Sequence, residues 1–321
     1  MAEWLYEAGI GEARAALVDN GAIRAARIDI ADHAPRVGAI VPARLAEITL
    51  KGREGVVALD GGGEAVLTGL PAGITQGASL LVRIVRLAIP EPGRAKRARA
   101  VPADDGAAPM PGPDLLARIT ATGVPVRPLA AHQPDDLEAA GWSEVLEEAR
   151  TGEIAFAGGA LRIALTPAMT VIDVDGQRPL DALAVAAATA VAHAIERLDI
   201  GGSIGVDFPT IEGRGPRQAV AQAIDAALPP PFERTAMNGF GFLQIVRRRE
   251  RVSLPELLRA DPHGAAIRAL LRQIERTPPP GQRHCRITPA QLEVIRAHPD
   301  WIDELTRRTG VPTSFESGNQ H

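Results

Sequence analysis

The chain of 321 residues has a single cysteine, and only two of its 35 basic residues are lysines. A lone Cys285 cannot form an internal disulfide, excludes a cysteine-rich zinc site and is compatible with a reducing compartment. The net charge of −4 argues against a protein that coats nucleic acid uniformly, although local basic patches remain possible. Without a long apolar run or a signal-peptide pattern, the sequence predicts a cytoplasmic protein that does not contact a membrane.

The abundance of arginine is a weak indicator of function. Alanine, glycine and proline are abundant as well, so the arginines reflect codon bias as readily as selection for guanidinium chemistry. We draw no inference about RNA from their number alone.

A strand, a helix and a second strand stand at the centre of the sequence. Between residues 170 and 176 a period of two places Asp173 and Asp175 on one face of the first strand. Apolar residues at helical spacing predict a helix over 181–198. The short apolar run 203–208 predicts a second, buried strand.

The two strands are expected to end at one edge of a sheet. A helical crossover makes them parallel, so Asp173 and Asp207 should meet at the carboxyl edge, where open sheets usually place ligands. Carboxylates that converge there repel each other unless a cation joins them, and oxygen ligands suit Mg²⁺ or Mn²⁺. The alternative is that Asp173, Asp175 and Asp207 only cap turns.

Three runs of the sequence resemble the catalytic core of the ribonuclease E/G family of endoribonucleases. These are 161–175, 197–208 and 238–249, which also match the family in order and spacing. The resemblance implies that Asp173 and Asp207, which fall on the aspartates of the family's IDVN and VIDF motifs, hold a catalytic Mg²⁺. Asp175 replaces the asparagine of the first motif, which adds a charge beside the metal without removing a ligand.

The resemblance also implies an α+β protein of several parts. An RNase H-like part is interrupted by an OB-type barrel and followed by a DNase I-like catalytic part and a small C-terminal domain of mixed helix and strand. The hairpin signal at Asn20-Gly21 and the short strands between residues 39 and 87 agree with the first two parts. The expected boundaries are 1–30 and 114–160 for the RNase H-like part, 31–101 for the barrel, 102–113 for a linker, 161–255 for the catalytic domain and 256–321 for the C-terminal domain.

The sequence departs from the family in three places. The stretch from Gly55 to Leu70 contains none of the aromatic residues with which family barrels stack on bases. The domain that senses a 5′-monophosphate in the family is missing between the linker and Leu115. Asp261 to Gly264 replaces the family's CPxC zinc link, so we expect no zinc, and a monomer or a dimer that zinc does not link.

Two basic clusters are candidates for binding RNA phosphates. The alternative is that the first is a solvated, mobile edge before the linker and the second a solvated strand end. Gly239 stands where the family's RFGL motif has arginine, which removes one expected phosphate contact. The candidate RNA-binding residues are Arg94, Lys96, Arg97 and Arg99 after the barrel strands, Arg178 after the first aspartate strand, and Arg247, Arg248 and Arg249 after the predicted strand 240–246. We expect the last three to lie beside the metal site.

The function implied by the resemblance is a metal-dependent endoribonuclease that acts on single-stranded RNA. A metal-activated water would attack phosphorus in line and leave a 5′-phosphate and a 3′-hydroxyl. The rival hypothesis is a non-catalytic RNA-binding or assembly protein with the same fold. The retained aspartates favour the enzyme, because carboxylates held close together are costly. His263, His284 and His298 lack regular ligand spacing and are interpreted as structural.

Overall fold

The order of strands and helices along the chain defines the sheets described below. The computed structural model describes residues 1–31, 34–91, 95–177, 179–277 and 283–318. Its strands are β1 (Glu3–Ala8), β2 (Glu12–Asp19), β3 (Ala22–Ile30), β4 (Ile40–Leu50), β5 (Glu54–Leu59), β6 (Glu64–Thr68), β7 (Ser79–Arg86), β8 (Ala98–Pro102), β9 (Val126–Pro128), β10 (Glu153–Phe156), β11 (Gly159–Leu165), β12 (Thr170–Gly176), β13 (Gly202–Asp207), β14 (Phe232–Arg234), β15 (Phe242–Arg247), β16 (His284–Ile287) and β17 (Ser314–Ser317). Its helices are α1 (Leu115–Thr120), α2 (Asp136–Ala139), α3 (Trp142–Thr151), α4 (Leu180–Arg197), α5 (Arg214–Ala227), α6 (Leu254–Ala260), α7 (Pro262–Arg276), α8 (Pro289–Ala297) and α9 (Pro299–Thr309).

The first sheet contains the hairpin that Asn20 and Gly21 predict. Both residues have positive φ, 52° and 75°, which suits a tight turn whose twist matches the flanking strands. The four strands lie in the order β3-β2-β1-β9, with β1 and β9 parallel. One face packs on α1 through Trp4, Leu115 and Ile119, while the other face enters the main core.

The predicted barrel is present as a closed barrel in the order β4-β5-β6-β8-β7. Alternating side chains such as Leu45, Val57 and Leu67 fill its interior. The sequence did not predict β8, because its five residues include two alanines, an arginine and a proline, and Val101 is its single β-branched residue. This strand pairs parallel to β6 and antiparallel to β7, and so closes the barrel. The expected linker begins at its last residue, Pro102, and Met110 pairs with Ile40 of the barrel.

The second sheet positions the aspartates. Its six strands lie in the order β10-β11-β12-β13-β15-β14, and β12 and β13 are the parallel pair. Helix α4 makes the crossover between them, as the sequence predicts. Ile172, Val174, Ile204 and Val206 point to the helix-covered face and are buried, so the intervening residues of both strands lie on the opposite face.

One hydrophobic core joins the first and second sheets. Leu5 and Ala26 of the first sheet belong to the same buried cluster as Trp142 of α3, Val191 of α4 and Ile172 of β12. The segments expected as RNase H-like and DNase I-like parts therefore share a core. Burial of this apolar surface against α4 holds the second sheet rigid from one side.

A buried cluster of charges joins the first sheet to the C-terminal helices. The Arg14 Nε donates to Glu7 Oε2 at 2.6 Å, and its guanidinium lies 5.2 Å from the centre of the Trp142 ring. Arg276 of α7 donates to Glu7 at 2.8 Å and pairs with Asp135 at 3.3 Å. Removing one member of the fully buried Arg14–Glu7 pair costs about 3–5 kcal/mol. Within the described residues, no helix is both long enough and apolar enough to span a membrane.

Candidate active site

Asp173 and Asp207 lie side by side on neighbouring parallel strands. They are direct partners in the register of β12 and β13, whose backbones are about 4.8 Å apart. Both side chains lie on the face away from α4, where Asp173 is half-buried and Asp207 is exposed. The prediction that a helical crossover brings these two aspartates together is therefore confirmed.

This pair of carboxylates has no cationic partner in the described part of the chain. Neither Asp173 nor Asp207 makes an ion pair or a side-chain hydrogen bond with a described residue. Among those residues there is also no cluster of three or more His, Cys, Asp or Glu able to hold a metal ion. Two carboxylates are nevertheless a suitable set for Mg²⁺, which proteins commonly bind through one or two carboxylates while water and substrate phosphates complete its shell.

Asp175 lies on the same face but has a different partner. Arg162 of β11 places Nη1 3.0 Å from Asp175 Oδ2, and both side chains are more than half exposed. Arg162 is also the register partner of Asp173. The positive charge of Arg162 thus offsets the charge that Asp175 adds, and Asp175 as a metal ligand stays a prediction.

Sequence reasoning missed Arg162. Its place between buried Leu161 and Ile163 marks it as the outward residue of a strand. Only the register of β11 against β12 shows that it adjoins Asp173, and that register depends on hydrogen bonds that no local pattern specifies.

A shallow depression of about 670 Å³ opens at the carboxyl edge of β12 and β13. Thr210, in its wall, donates a hydrogen bond to the carbonyl oxygen of Phe240 at 3.3 Å, which ties the segment after β13 to the loop before β15. The depression is lined by Pro179, Leu180, Asp181, Thr210, Ile211, Glu212 and Pro216.

The arginines after β15 lie at the other edge of the sheet. Because β15 runs antiparallel to β13, Phe242 lies beside Asp207 and Arg247 lies beside Gly202. Five residues of strand separate the two positions, about 17 Å. The expectation that this cluster adjoins the aspartates is therefore wrong. In addition, Arg247 pairs with Glu196 at 2.8 Å, Arg248 with Glu250 at 3.0 Å, and Arg249 with Glu256.

The basic residues near β8 have different surroundings. Lys96 pairs with Glu91 at 2.5 Å and donates to the carbonyl of Pro167, and Arg97 pairs with Glu64 at 2.9 Å. Arg99 is exposed and makes no ion pair with any described residue. Arg94 and Arg178 lie outside the described residues.

Arg86 links the barrel arginines to those after β15. Burial lowers the pKa of the Arg86 guanidinium, and the nearby charges of Arg99 and Arg249 lower it further. The backbone N–H of Leu87 donates to the carbonyl of Glu250 at 2.9 Å, so the barrel contacts the chain just after β15. These guanidinium groups form a basic region on the barrel side of the sheet.

The position of the family's zinc link has a structural role here. Asp261 caps α7 by accepting a hydrogen bond from the N–H of Gly264 at 2.9 Å and pairs with Arg268 at 3.0 Å. His298 stacks on Trp301 with ring centres 4.1 Å apart. The Nδ1 of His284 lies 2.6 Å from the hydroxyl of Ser314.

Comparison with known proteins identifies the segment that carries the aspartates. Residues 127–250, from β9 through β15, match the ribonuclease E/G family. Ribonuclease G of Haemophilus influenzae is 34% identical over 113 residues, which is 32% of this chain and 23% of that protein. Ribonucleases G of Escherichia coli and Salmonella typhimurium are 31% identical over the same length and share of each chain.

The chain thus matches less than a quarter of the length of these curated relatives. The matched segment nevertheless contains the whole β12-α4-β13 unit, with Asp173 and Asp207, and the loop before β15. Through this segment, the chain is similar to the ribonuclease E/G family.

Proposed function

We propose that this chain is an endoribonuclease that cleaves single-stranded RNA with Mg²⁺ or Mn²⁺ held by Asp173 and Asp207. The observation that supports it most is the placement of two aspartates, without cationic partners among the described residues, as neighbours at one edge of a sheet. The relatives named ribonuclease G support the same reaction class.

The residues of the site have distinct roles in this proposal. A divalent cation, when bound, makes an attacking water more acidic and offsets charge on the phosphate. Asp173, within β12, and Asp207, at the end of β13, would hold that cation on two neighbouring strands. Arg162 holds Asp175 and reduces the negative charge that an RNA phosphate meets. Hydrolysis in this manner leaves a 5′-phosphate and a 3′-hydroxyl.

The same proposal extends to the architecture. The strand order β4-β5-β6-β8-β7, with β6 and β8 parallel, supports assignment of the barrel as OB-type. We propose the RNase H-like and DNase I-like assignments for the first and second sheets, a cytoplasmic location, and a monomer or a dimer without a zinc link.

A second candidate is an RNA-binding or assembly protein without catalysis. The pairing of Arg97, Arg247, Arg248 and Arg249 with carboxylates favours the assembly role over RNA binding, because these arginines are less available to RNA phosphates than unpaired ones. This candidate leaves unexplained why two aspartates that lack cationic partners in the described part of the chain lie together.

A cleavage assay distinguishes the two candidates. A 5′-labelled single-stranded RNA should be cut in Mg²⁺ and remain intact in EDTA. D173N and D207N should each lower the rate at least about 100-fold, or about 2.7 kcal/mol in barrier, because each removes a charge that orients the cation. Circular dichroism and urea unfolding should show that both variants fold.

Glu153→Gln is the matched control. Glu153 is an exposed carboxylate on β10 and the register partner of Arg162, so E153Q removes a charge from the same sheet without touching the pair. Its rate should stay within about threefold of the parent, less than 1 kcal/mol. Full activity in D173N or D207N would refute the proposed site.

A further inference from the structure

Phe240 is the solvent-exposed aromatic side chain of the described structure. The chain has three tryptophans, one tyrosine and six phenylalanines, all within its described part. Only Phe240 among them is exposed, at 85%. Single exposed apolar side chains are common, so exposure alone assigns no role. Phe240 differs from such residues in the hydrogen bonds that hold its loop and in its position relative to the aspartates.

The loop that carries Phe240 is held by hydrogen bonds. The side-chain oxygen of Asn238 accepts the backbone N–H groups of Phe240 at 2.9 Å and Phe242 at 3.0 Å. The carbonyl oxygen of Phe240 accepts the Thr210 hydroxyl at 3.3 Å. Both backbone polar groups of Phe240 are therefore bonded, and the ring projects from an ordered loop.

Buried residues anchor this loop on both sides of the exposed ring. Met237 is 6% exposed and belongs to the main core. Gly241 has φ of 96°, and a Cβ there would clash with the carbonyl oxygen of Phe208. The backbone of the loop therefore contacts Phe208, the residue that follows Asp207. This contact restricts the backbone at Gly241, so the loop cannot readily turn the Phe240 ring into the protein interior.

The position of the ring relates it to the aspartates. Phe242 is the register partner of Asp207, so Phe240 lies two residues beyond that partner, past the carboxyl edge of β13. Two residues span at most about 7 Å of chain, and neighbouring strands lie about 4.8 Å apart. A base on this ring and a phosphate at the aspartates can therefore belong to neighbouring nucleotides.

We propose that Phe240 stacks on an unpaired base of the RNA strand that is cut at Asp173 and Asp207. This inference rests on the proposed function. Stacking on an aromatic ring tolerates any base but requires that the base be unpaired, so Phe240 would select single-stranded RNA at the active site. It would replace the stacking that the aromatic-free barrel segment Gly55–Leu70 does not offer.

The test measures binding without cleavage. The affinity of a short single-stranded RNA is compared in EDTA for the parent, F240A, F240L and F240W. F240A should weaken binding about tenfold or more, equivalent to about 1.4 kcal/mol. F240L should stay weak because it keeps apolar volume but loses the flat ring. F240W should bind as well as the parent, with its indole fluorescence quenched by RNA. The native tryptophans are buried and contribute a constant background.

Two controls separate stacking from a general loss of surface. Val246→Ala removes another exposed apolar side chain from β15 and should leave affinity unchanged. Replacing one nucleotide at a time by an abasic one should reveal a position at which the parent binds as weakly as F240A. Equal affinities of F240A and the parent for the intact RNA would overturn the inference and assign the ring to another partner, such as a protein. Because binding is measured in EDTA, this result does not depend on whether the chain cleaves RNA.

Discussion

Arg162 and Asp175 form an ion pair across β11 and β12, with Arg162 Nη1 3.0 Å from Asp175 Oδ2, directly beside Asp173. An Asp175 without this partner would be a third negative charge near the proposed metal site. The pair keeps the local charge close to that of Asp173 and Asp207 alone. The exchange of the family's asparagine for aspartate is thus accompanied by a neighbouring cation.

Arg162→Gln tests this relationship. Because the pair is exposed, its loss should change the free energy of unfolding by less than about 1 kcal/mol. The extra uncompensated charge should instead lower the Mg²⁺ concentration needed for half-maximal cleavage and raise the KM for RNA. A Mg²⁺ titration of initial rates measures both effects.

The charge-matched control is the double variant R162Q with D175N. It removes one positive and one negative charge together, so its Mg²⁺ dependence and KM should return toward those of the parent. If R162Q behaves like the parent while D175N alone abolishes cleavage, Asp175 has a direct catalytic role that the ion pair does not explain.

The strand-helix-strand unit could be predicted because its signals are local. Alternation over 170–176, helical spacing to Leu198 and the apolar run before Pro209 each specify one element, and the crossover rule fixes the relative direction of the strands. The acidic pair follows from these steps. The hairpin at Asn20-Gly21 was predictable for the same reason, since two residues with positive φ define it.

The residues around Asp173 and Asp207 are positioned by hydrogen bonding between strands that are distant in sequence. Arg247 was expected at the edge of the sheet that carries the aspartates, but it lies at the other edge. The reason is that β15 runs antiparallel to β13, and no residue within β15 encodes that direction. The pairing of Arg162 with Asp175 and the closure of the barrel by β8 likewise require a register. The exposure of Phe240 depends on the anchors of its loop, which the run Asn238-Gly-Phe-Gly-Phe242 does not reveal by itself.

Stability in acid should depend on Asp135. Burial raises the pKa of Asp135, but the charge of Arg14, the N–H of Glu138 and the charge of Arg276 together hold it below the usual value of 3.8. A carboxyl with a lowered pKa stabilises the fold above its unfolded pKa, and this contribution disappears as the pH falls through the folded pKa. D135N should therefore be less stable than the parent near neutral pH, by roughly 1–3 kcal/mol.

Urea unfolding from about pH 7 down to pH 3 measures this dependence. The gap between the parent and D135N should narrow below about pH 4. Asp225→Asn is the control, because Asp225 forms an exposed pair with Arg234 and should contribute less than about 1 kcal/mol. A gap that stays constant with pH would show that Asp135 acts through packing and not through its charge.

RNA affinity should fall steeply with salt if phosphate contacts replace stacking in the barrel. Arg99 is exposed and makes no ion pair with a described residue, whereas Arg97 pairs with Glu64. Arg99→Gln should therefore weaken binding and reduce the slope of log affinity against log salt by about one, and Arg97→Gln should have a smaller effect. Affinities for one RNA, measured over a series of salt concentrations, test this prediction. If R99Q leaves the slope of log affinity against log salt unchanged, Arg99 does not contact an RNA phosphate.

The state of the RNA 5′ end should have little influence on cleavage. The chain passes from the end of β8 at Pro102 to α1 at Leu115 through a short connection that pairs with the barrel at Met110. The family's 5′-sensing domain would occupy this position. Rates on 5′-monophosphate and 5′-hydroxyl forms of one oligonucleotide should agree within about threefold, less than 1 kcal/mol.

Chelation of zinc provides the companion measurement. Because Asp261 to Gly264 forms a helix cap where the family has its zinc link, a chelator should leave the mass in solution unchanged. A tenfold preference for the monophosphate, or an oligomer that dissociates on chelation, would contradict the interpretation that sensor and link are both missing.

Identification of the product ends tests the central assignment most directly. The parent and D207N are incubated with one single-stranded RNA in Mg²⁺, and the fragments are analysed by mass spectrometry. Hydrolysis by a water oriented at Asp173 and Asp207 predicts fragments with 5′-phosphate and 3′-hydroxyl ends from the parent and intact RNA from D207N. Fragments with 2′,3′-cyclic phosphate ends, or equal amounts of fragments from D207N, would contradict the assignment.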